Sequence, residues 1–186
     1  MRIITGALGG RRIQSPEGAA TRPTSDRARQ AIFNILEHAP WSPGVEDLRV
    51  ADLFAGSGAM GLEALSRGAA FCLFVESATP ALAAIRANLE TFGLTARARA
   101  LRQDATRLAP RTAAEPPFDL AILDPPYGAG LGEQALEVLR NGGWLAPDAV
   151  VALERGADEP ETVPPGFKVL DVRRYGAAKV QLLRLN

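Results

Sequence analysis

Three features of the sequence predict an α/β fold of the Rossmann-like type, with a mainly parallel sheet ending in an antiparallel hairpin. From Leu48 onward, apolar runs of strand length alternate with helical patterns. A glycine-rich turn at residues 56–61 joins the first of those strands to a helix, and the acids Glu76, Asp104 and Asp124 fall at the ends of three later strands. Strands separated by helices of this length form a parallel sheet covered on both faces, with ligands in the crevice at the strands' carboxyl ends. The chain has 186 residues, one domain at about 150 residues per domain. Its 47% hydrophobic and 23% charged residues supply a proper core and exclude disorder as the default reading.

Each element has a local signature. Residues 2–7 and 11–15 flank Leu8-Gly9-Gly10 and read as a small hairpin. From Ser25, with Thr24 or Ser25 as N-cap, Ala28, Ile32, Ile35 and Leu36 recur at helical spacing. Residues 48–54 form a strand, Ala55-Gly56-Ser57-Gly58 a turn, and Met60, Leu62 and Leu65 mark a helix closed by Gly68. The apolar strand 71–75 ends at Glu76. Thr79-Pro80 then opens a helix that runs to Gly93. A weaker strand over 96–101 ends near Asp104, and a strong one over 118–123 runs into Asp124-Pro125-Pro126-Tyr127. A helix over 131–140, a strand over 150–153 and an antiparallel pair at 168–172 and 180–183 complete the pattern. The expected organisation is an N-terminal extension, residues 1–45, on a core of residues 46–186, forming one compact domain.

Lys plus Arg and Asp plus Glu number 21 each, so the net charge is zero, yet the charge is segregated along the chain. Residues 1–36 carry a surplus of four positive charges and residues 112–171 a surplus of eight negative ones. That asymmetry is compatible with a basic face for a polyanion and equally with ordinary solvated charge. Arg97, Arg99 and Arg102 alternate along one short strand, which is also how a sheet edge resists pairing with other chains. Cys72 is the single cysteine and lies in an apolar run, which excludes a disulfide framework or a cysteine metal site within the chain. His38, Trp41 and Trp144 read as structural. No apolar stretch reaches membrane-spanning length and the start lacks a signal-peptide core, so a cytoplasmic protein without membrane contact is expected.

Gly56-Ser57-Gly58-Ala59-Met60-Gly61 spells G-x-G-x-x-G between a strand and a helix, and Glu76 stands twenty residues beyond Gly56. Glycines let the backbone approach a ligand closely, and an acid at the next strand's end accepts hydrogen bonds from ribose hydroxyls. The motif alone leaves NAD(P) and S-adenosylmethionine open. Asp52, ahead of the loop, favours the second, because a carboxylate there suits the ammonium of the amino-acid end and would repel a pyrophosphate.

Asp124-Pro125-Pro126-Tyr127 fits a further chemical problem. The exocyclic amine of a nucleobase is a poor nucleophile because its lone pair is delocalised into the ring. Two acceptors aimed at its N–H bonds, the Asp124 carboxylate and the Pro125 carbonyl, would favour a tetrahedral nitrogen. Tandem prolines fix the backbone and remove two N–H donors. Tyr127 offers a flat surface for a base taken out of its stack. No metal is needed.

DPPY after DLFAGSGAMG resembles the amino methyltransferases of nucleic-acid bases. More narrowly, RIITGALGGRRIQSP, TRPTSDRARQAIFNIL and DLFAGSGAMGLEALSRGA resemble the RsmD family, which methylates N2 of one guanine in bacterial 16S ribosomal RNA. The resemblance covers nearly the whole chain and is weakest at residues 105–117 and 155–168. It implies a class I S-adenosylmethionine methyltransferase fold and a substrate in 16S rRNA or the small ribosomal subunit; a monomer is the simpler expectation. By similarity, Asp52, Phe54, Ala55, Gly56, Ser57 and Gly58 would hold the methionine part, Glu76 with Ser77 the ribose, and Asp104 with Ala105 the adenine. Asp124, Pro125, Pro126 and Tyr127 would hold the target guanine. Residues 21–29 would close over the cofactor or reach the RNA, with Arg11, Arg12, Arg22, Arg27 and Arg29 near phosphates. The rivals are an adenine N6 methyltransferase, a protein glutamine methyltransferase and a non-catalytic nucleotide- or RNA-binding protein. The glutamine enzymes carry a larger helical domain ahead of the first strand, for which 47 residues are too few.

Overall fold

The computed structural model describes residues 1–16 and 26–186. A seven-stranded sheet runs in the order β3-β2-β1-β4-β5-β7-β6. Five parallel strands come first: β1 (Arg49–Leu53), β2 (Phe71–Glu76), β3 (Ala98–Arg102), β4 (Phe118–Leu123) and β5 (Leu145–Gly156). β6 (Phe167–Tyr175) and β7 (Ala178–Leu185) add the antiparallel hairpin, with β7 against β5. The strand order turns back between β1 and β4, which opens the crevice where doubly wound sheets take their ligands.

Alternate residues of the central strands feed two apolar layers, as the period of two demands. On one face Val50, Phe74, Leu120, Ile122 and Val150 pack with Ile32, Phe33 and Leu36 of α1 (Asp26–His38), Leu62 and Leu65 of α2 (Ala59–Ser66) and Ile85 and Leu89 of α3 (Thr79–Thr91). On the other, Ala51, Leu53, Val75, Leu123 and Val151 pack with Ala135, Leu136 and Leu139 of α4 (Leu131–Asn141). Trp144 belongs to this second layer, its Nε1–H donating to Ala109 O at 3.0 Å, and Cys72 is fully buried in the first.

β6 and β7 are longer than the expected 168–172 and 180–183, and three further elements depart from the sequence expectation. The first hairpin is short, one antiparallel bridge from Arg2 to Arg12 flanked by Ile3 N on Arg11 O at 2.9 Å and Ile13 N on Met1 O at 3.1 Å, and beyond it the amides donate to α2. Ile4 N and Thr5 N bond the Glu63 carboxylate at 2.7 and 3.1 Å, Ala7 N bonds Ser66 O, and Leu8 N bonds Ser66 Oγ. β5 starts five residues early, running through Pro147 and through Asp148 at φ +60°, with a register shift against β4. β3 starts two residues late, since a 3-10 turn occupies Thr95–Arg97. Arg97, exposed overall, donates its guanidinium to Leu65 O and Ala69 O.

Glu63 is wholly buried on α2. Besides the two amides it accepts from Arg67 Nε at 2.8 Å, and Arg29 Nε stands 3.8 Å away. Removing the carboxylate would leave two amides and Arg67 Nε without that acceptor, and Arg29 without the buried anion beside its Nε. Glu63→Ala should therefore destabilise the chain by about 3–5 kcal/mol. Urea unfolding measures it, and a loss below about 1 kcal/mol would mean that this anchor is dispensable.

Candidate functional site

A cavity of about 460 Å³ opens at the carboxyl ends of β1, β2 and β4. Its wall gathers Asp52, Phe54, Ala55, Gly56, Ser57, Glu76, Ser77, Asp104, Ala105 and all four residues of Asp124-Pro125-Pro126-Tyr127, joined by Met1, Arg29, Ala59, Met60, Val75 and Gln103. Residues far apart in sequence converge here because parallel strands end at one level and each sends its next loop over the same edge.

The glycine turn is built by close approach. Phe54 takes φ +58° and Gly56 φ +54°, while Ala55 N donates to Val75 O at 3.1 Å and Gly58 N to Ala55 O at 2.7 Å. A Cβ on Gly61 would lie 2.3 Å from the Phe74 ring and 2.7 Å from Cys72 Sγ, so the third glycine is what lets α2 lie on β2. Gly58, expected to hold the cofactor, does not reach the cavity wall; it is buried against Ile85 and Phe74 and serves the turn.

The four acids have distinct surroundings. Asp52 is interior to β1, 2% exposed, and its Oδ2 accepts from Gly61 N at 2.9 Å. Burial pushes its carboxyl well above the usual range, and the neighbouring charges of Asp124 and Glu76 push it further. Glu76 clamps two loops, its Oε2 accepting from Gly56 N at 2.8 Å and its Oε1 from Ala78 N at 2.7 Å. Asp104 is exposed and caps a 3-10 turn; the hydroxyl and amide of Thr106, 2.7 and 2.8 Å from Oδ1, hold its carboxyl below the usual range. Asp124 is half-buried, with its amide on Leu53 O at 3.4 Å.

Pro125 is buried and Pro126 exposed, so the tandem prolines carry the chain from the sheet edge to the surface. Tyr127, 40% exposed, donates its hydroxyl to Glu154 Oε1 at 2.7 Å, and Gly128 N donates to Glu159 Oε1 at 2.7 Å. These two acids brace the loop from β5 and the segment behind it. Sequence reasoning missed both, although Glu154 follows an apolar strand as Glu76, Asp104 and Asp124 do.

The arginines divide. Arg11, Arg12 and Arg27 are exposed, with the Arg11 guanidinium 4.7 Å over the Phe92 ring. Arg22 lies outside the described residues. Arg29 is not a surface residue: it is fully buried in the first turn of α1, bonded to Arg2 O and Asp26, so it cannot meet an RNA phosphate in this arrangement.

Asp52 has a consequence for stability against pH. Its carboxyl is raised in the fold above the unfolded value of 3.8, so the folded chain keeps a proton that the unfolded chain releases, and stability is lost as pH climbs above that value. Asp52→Asn keeps an acceptor for Gly61 N without that penalty. It should equal the native chain near pH 3.8 and gain on it towards neutrality. Urea midpoints across that range measure the gap, and a gap that does not widen with pH would contradict the assignment.

The family model described as Conserved hypothetical protein 95 matches residues 1–184. Ribosomal RNA small subunit methyltransferase D of Haemophilus influenzae is 32% identical over 98% of this chain and 92% of its own. The protein of the same name from Escherichia coli K12 is 34% identical over 91% of this chain and 82% of its own. The solved structure of Escherichia coli yhhF, which carries the name of a methyltransferase, superposes with a TM-score of 0.84 at 32% identity, covering 100% of this chain and 98% of that one. By sequence and by fold, the chain belongs to the family described as Conserved hypothetical protein 95, the RsmD family that its motifs resemble.

Proposed function

We propose that this chain transfers the methyl group of S-adenosylmethionine to the exocyclic N2 of a guanine in 16S ribosomal RNA. The observation that carries the reading is the meeting of Asp124-Pro125-Pro126-Tyr127 with the glycine turn and three further acids in one cavity. Relatives at 32% and 34% identity named ribosomal RNA small subunit methyltransferase D support it.

The donor set fits the cofactor. Four carboxylates on the wall suit a molecule that carries a sulfonium and an ammonium. A Cβ built on Gly56 meets nothing nearer than Phe54 O at 4.0 Å, so the space over the loop is open, and any larger side chain would occupy it. Asp52 and the loop to Ser57 would hold the methionine part, Glu76 and Ser77 the ribose, and Asp104 and Ala105 the adenine. When bound, the cofactor supplies an electrophilic methyl group.

The chain's own residues do the rest. Asp124 and the Pro125 carbonyl accept the two N–H bonds of the amine and keep its lone pair free of the ring. Tyr127, fixed through its hydroxyl by Glu154, stacks on the base and sets its plane. Most of the rate gain comes from orientation, and the methylated nitrogen is acidic enough to lose its proton without a strong base. Exposed Arg11, Arg12 and Arg27, with Arg22, would meet phosphates, residues 1–45 serving as RNA contact and cover. The enzyme would work as a monomer in the cytoplasm. No helix among the described residues is long and apolar enough to cross a membrane.

Labelled cofactor and small subunits from a strain lacking the modification test the array. Asp124→Ala should cut transfer by at least about 100-fold while cofactor affinity by calorimetry stays unchanged. Unaltered turnover would remove Asp124 from its role.

A further inference from the structure

Arg29 is a buried cation with an unused donor. Its Nη2 donates to Arg2 O and to Asp26 Oδ1 at 3.0 Å, and its Nε stands 3.8 Å from Glu63 Oε2, beyond hydrogen-bond reach. Glu63 is already taken at 2.8 Å by Arg67 and by two backbone amides. Arg29 Nη1 is buried with no hydrogen-bond partner among the described residues. A buried N–H left unpaired is costly, and native structures rarely keep one without a reason.

Its location supplies the reason. Arg29 lines the cavity, where the other charged side chains are Asp52, Glu76, Asp104 and Asp124. Arg49, Arg67 and Arg184 also leave a buried nitrogen unpaired, yet none of them is on the cavity wall. Met1 lies close to the glycine turn as well, its Sδ 3.6 Å from Ser57 Oγ. A lone guanidinium among carboxylates matches a ligand that is cationic except for one carboxylate, and a guanidinium is the side chain best shaped for that partner.

We infer that Arg29 binds the carboxylate of the cofactor's amino-acid end through Nη1, while the acids and loop carbonyls at β1 take the ammonium. The inference rests on the cofactor reading above and adds a charge selection to it. Occupancy of the cavity then completes the polar shell of α1. Glu63 acts as the positioning residue, holding the Arg29 stem without satisfying its free nitrogen.

Calorimetry on the full chain compares S-adenosylmethionine with its decarboxylated analogue, which keeps sulfonium, ammonium and adenosine. The native chain should favour the carboxylated ligand by about 10-fold or more. Arg29→Met should weaken that ligand by a similar factor and leave the analogue within about twofold, with Arg29→Lys intermediate. Circular dichroism checks that the variants fold, and the two-ligand comparison on the native chain decides the matter even where they do not. Equal affinity of the native chain for both ligands, or an equal loss of both in Arg29→Met, would overturn the inference. Failure of both ligands to bind the native chain would instead overturn the cofactor reading, and the inference with it.

Discussion

The Glu63 carboxylate has to be where it is for much of the rest to follow. Enclosed on α2, it accepts the amides of Ile4 and Thr5 and the Arg67 guanidinium, and it stands beside Arg29. One buried anion thus joins the N-terminal segment, α1 and α2, three pieces that local sequence would leave independent. An anion in that place is tolerable only because its oxygens are so fully hydrogen-bonded and two arginines offset its charge. The same contacts bring Met1 and Arg29 to the cavity, so the N-terminal segment forms part of the site wall.

The parallel sheet makes its own contribution to the electrostatics. β1, β2 and β4 end side by side, and the register pairs Asp52 with Phe74 and Ile122, placing carboxylates near one crevice. Asp52 feels both Asp124 and Glu76 as like charges. Like charges so placed suit a cationic ligand, a common pattern at sites that are stabilised by what they bind. Neutral overall charge hides this, since acids gather at the crevice while exposed Arg11, Arg12 and Arg27 lie on the N-terminal segment and α1.

What was legible in the sequence was what is decided locally. The strand ending at Leu53, the turn through Gly56 and Gly58, Glu76 at the end of β2 and Asp124 at the end of β4 each carry their signal within a few residues. The N-terminal hairpin is shorter than expected because the amides of Ile4, Thr5 and Leu8 pair with Glu63 and Ser66, 58 or 59 residues away. Arg29 looked like a surface charge because a charge count cannot see its neighbours. Glu154 and Glu159 were invisible as supports of Tyr127 and Gly128, their partners being 27 and 31 positions distant. The early start of β5 was masked by Pro147 and Asp148, residues that ordinarily interrupt a strand and here sit where its register against β4 shifts.

The proposed activity requires that the cavity present a guanine amine to a methyl donor. Small subunits from a strain lacking the modification, incubated with this chain and labelled S-adenosylmethionine and then digested to nucleosides, decide it by mass spectrometry. The label should appear in N2-methylguanosine of 16S ribosomal RNA at a single position. Label in N6-methyladenosine or in protein, or none at all from a chain that binds the cofactor, would contradict it.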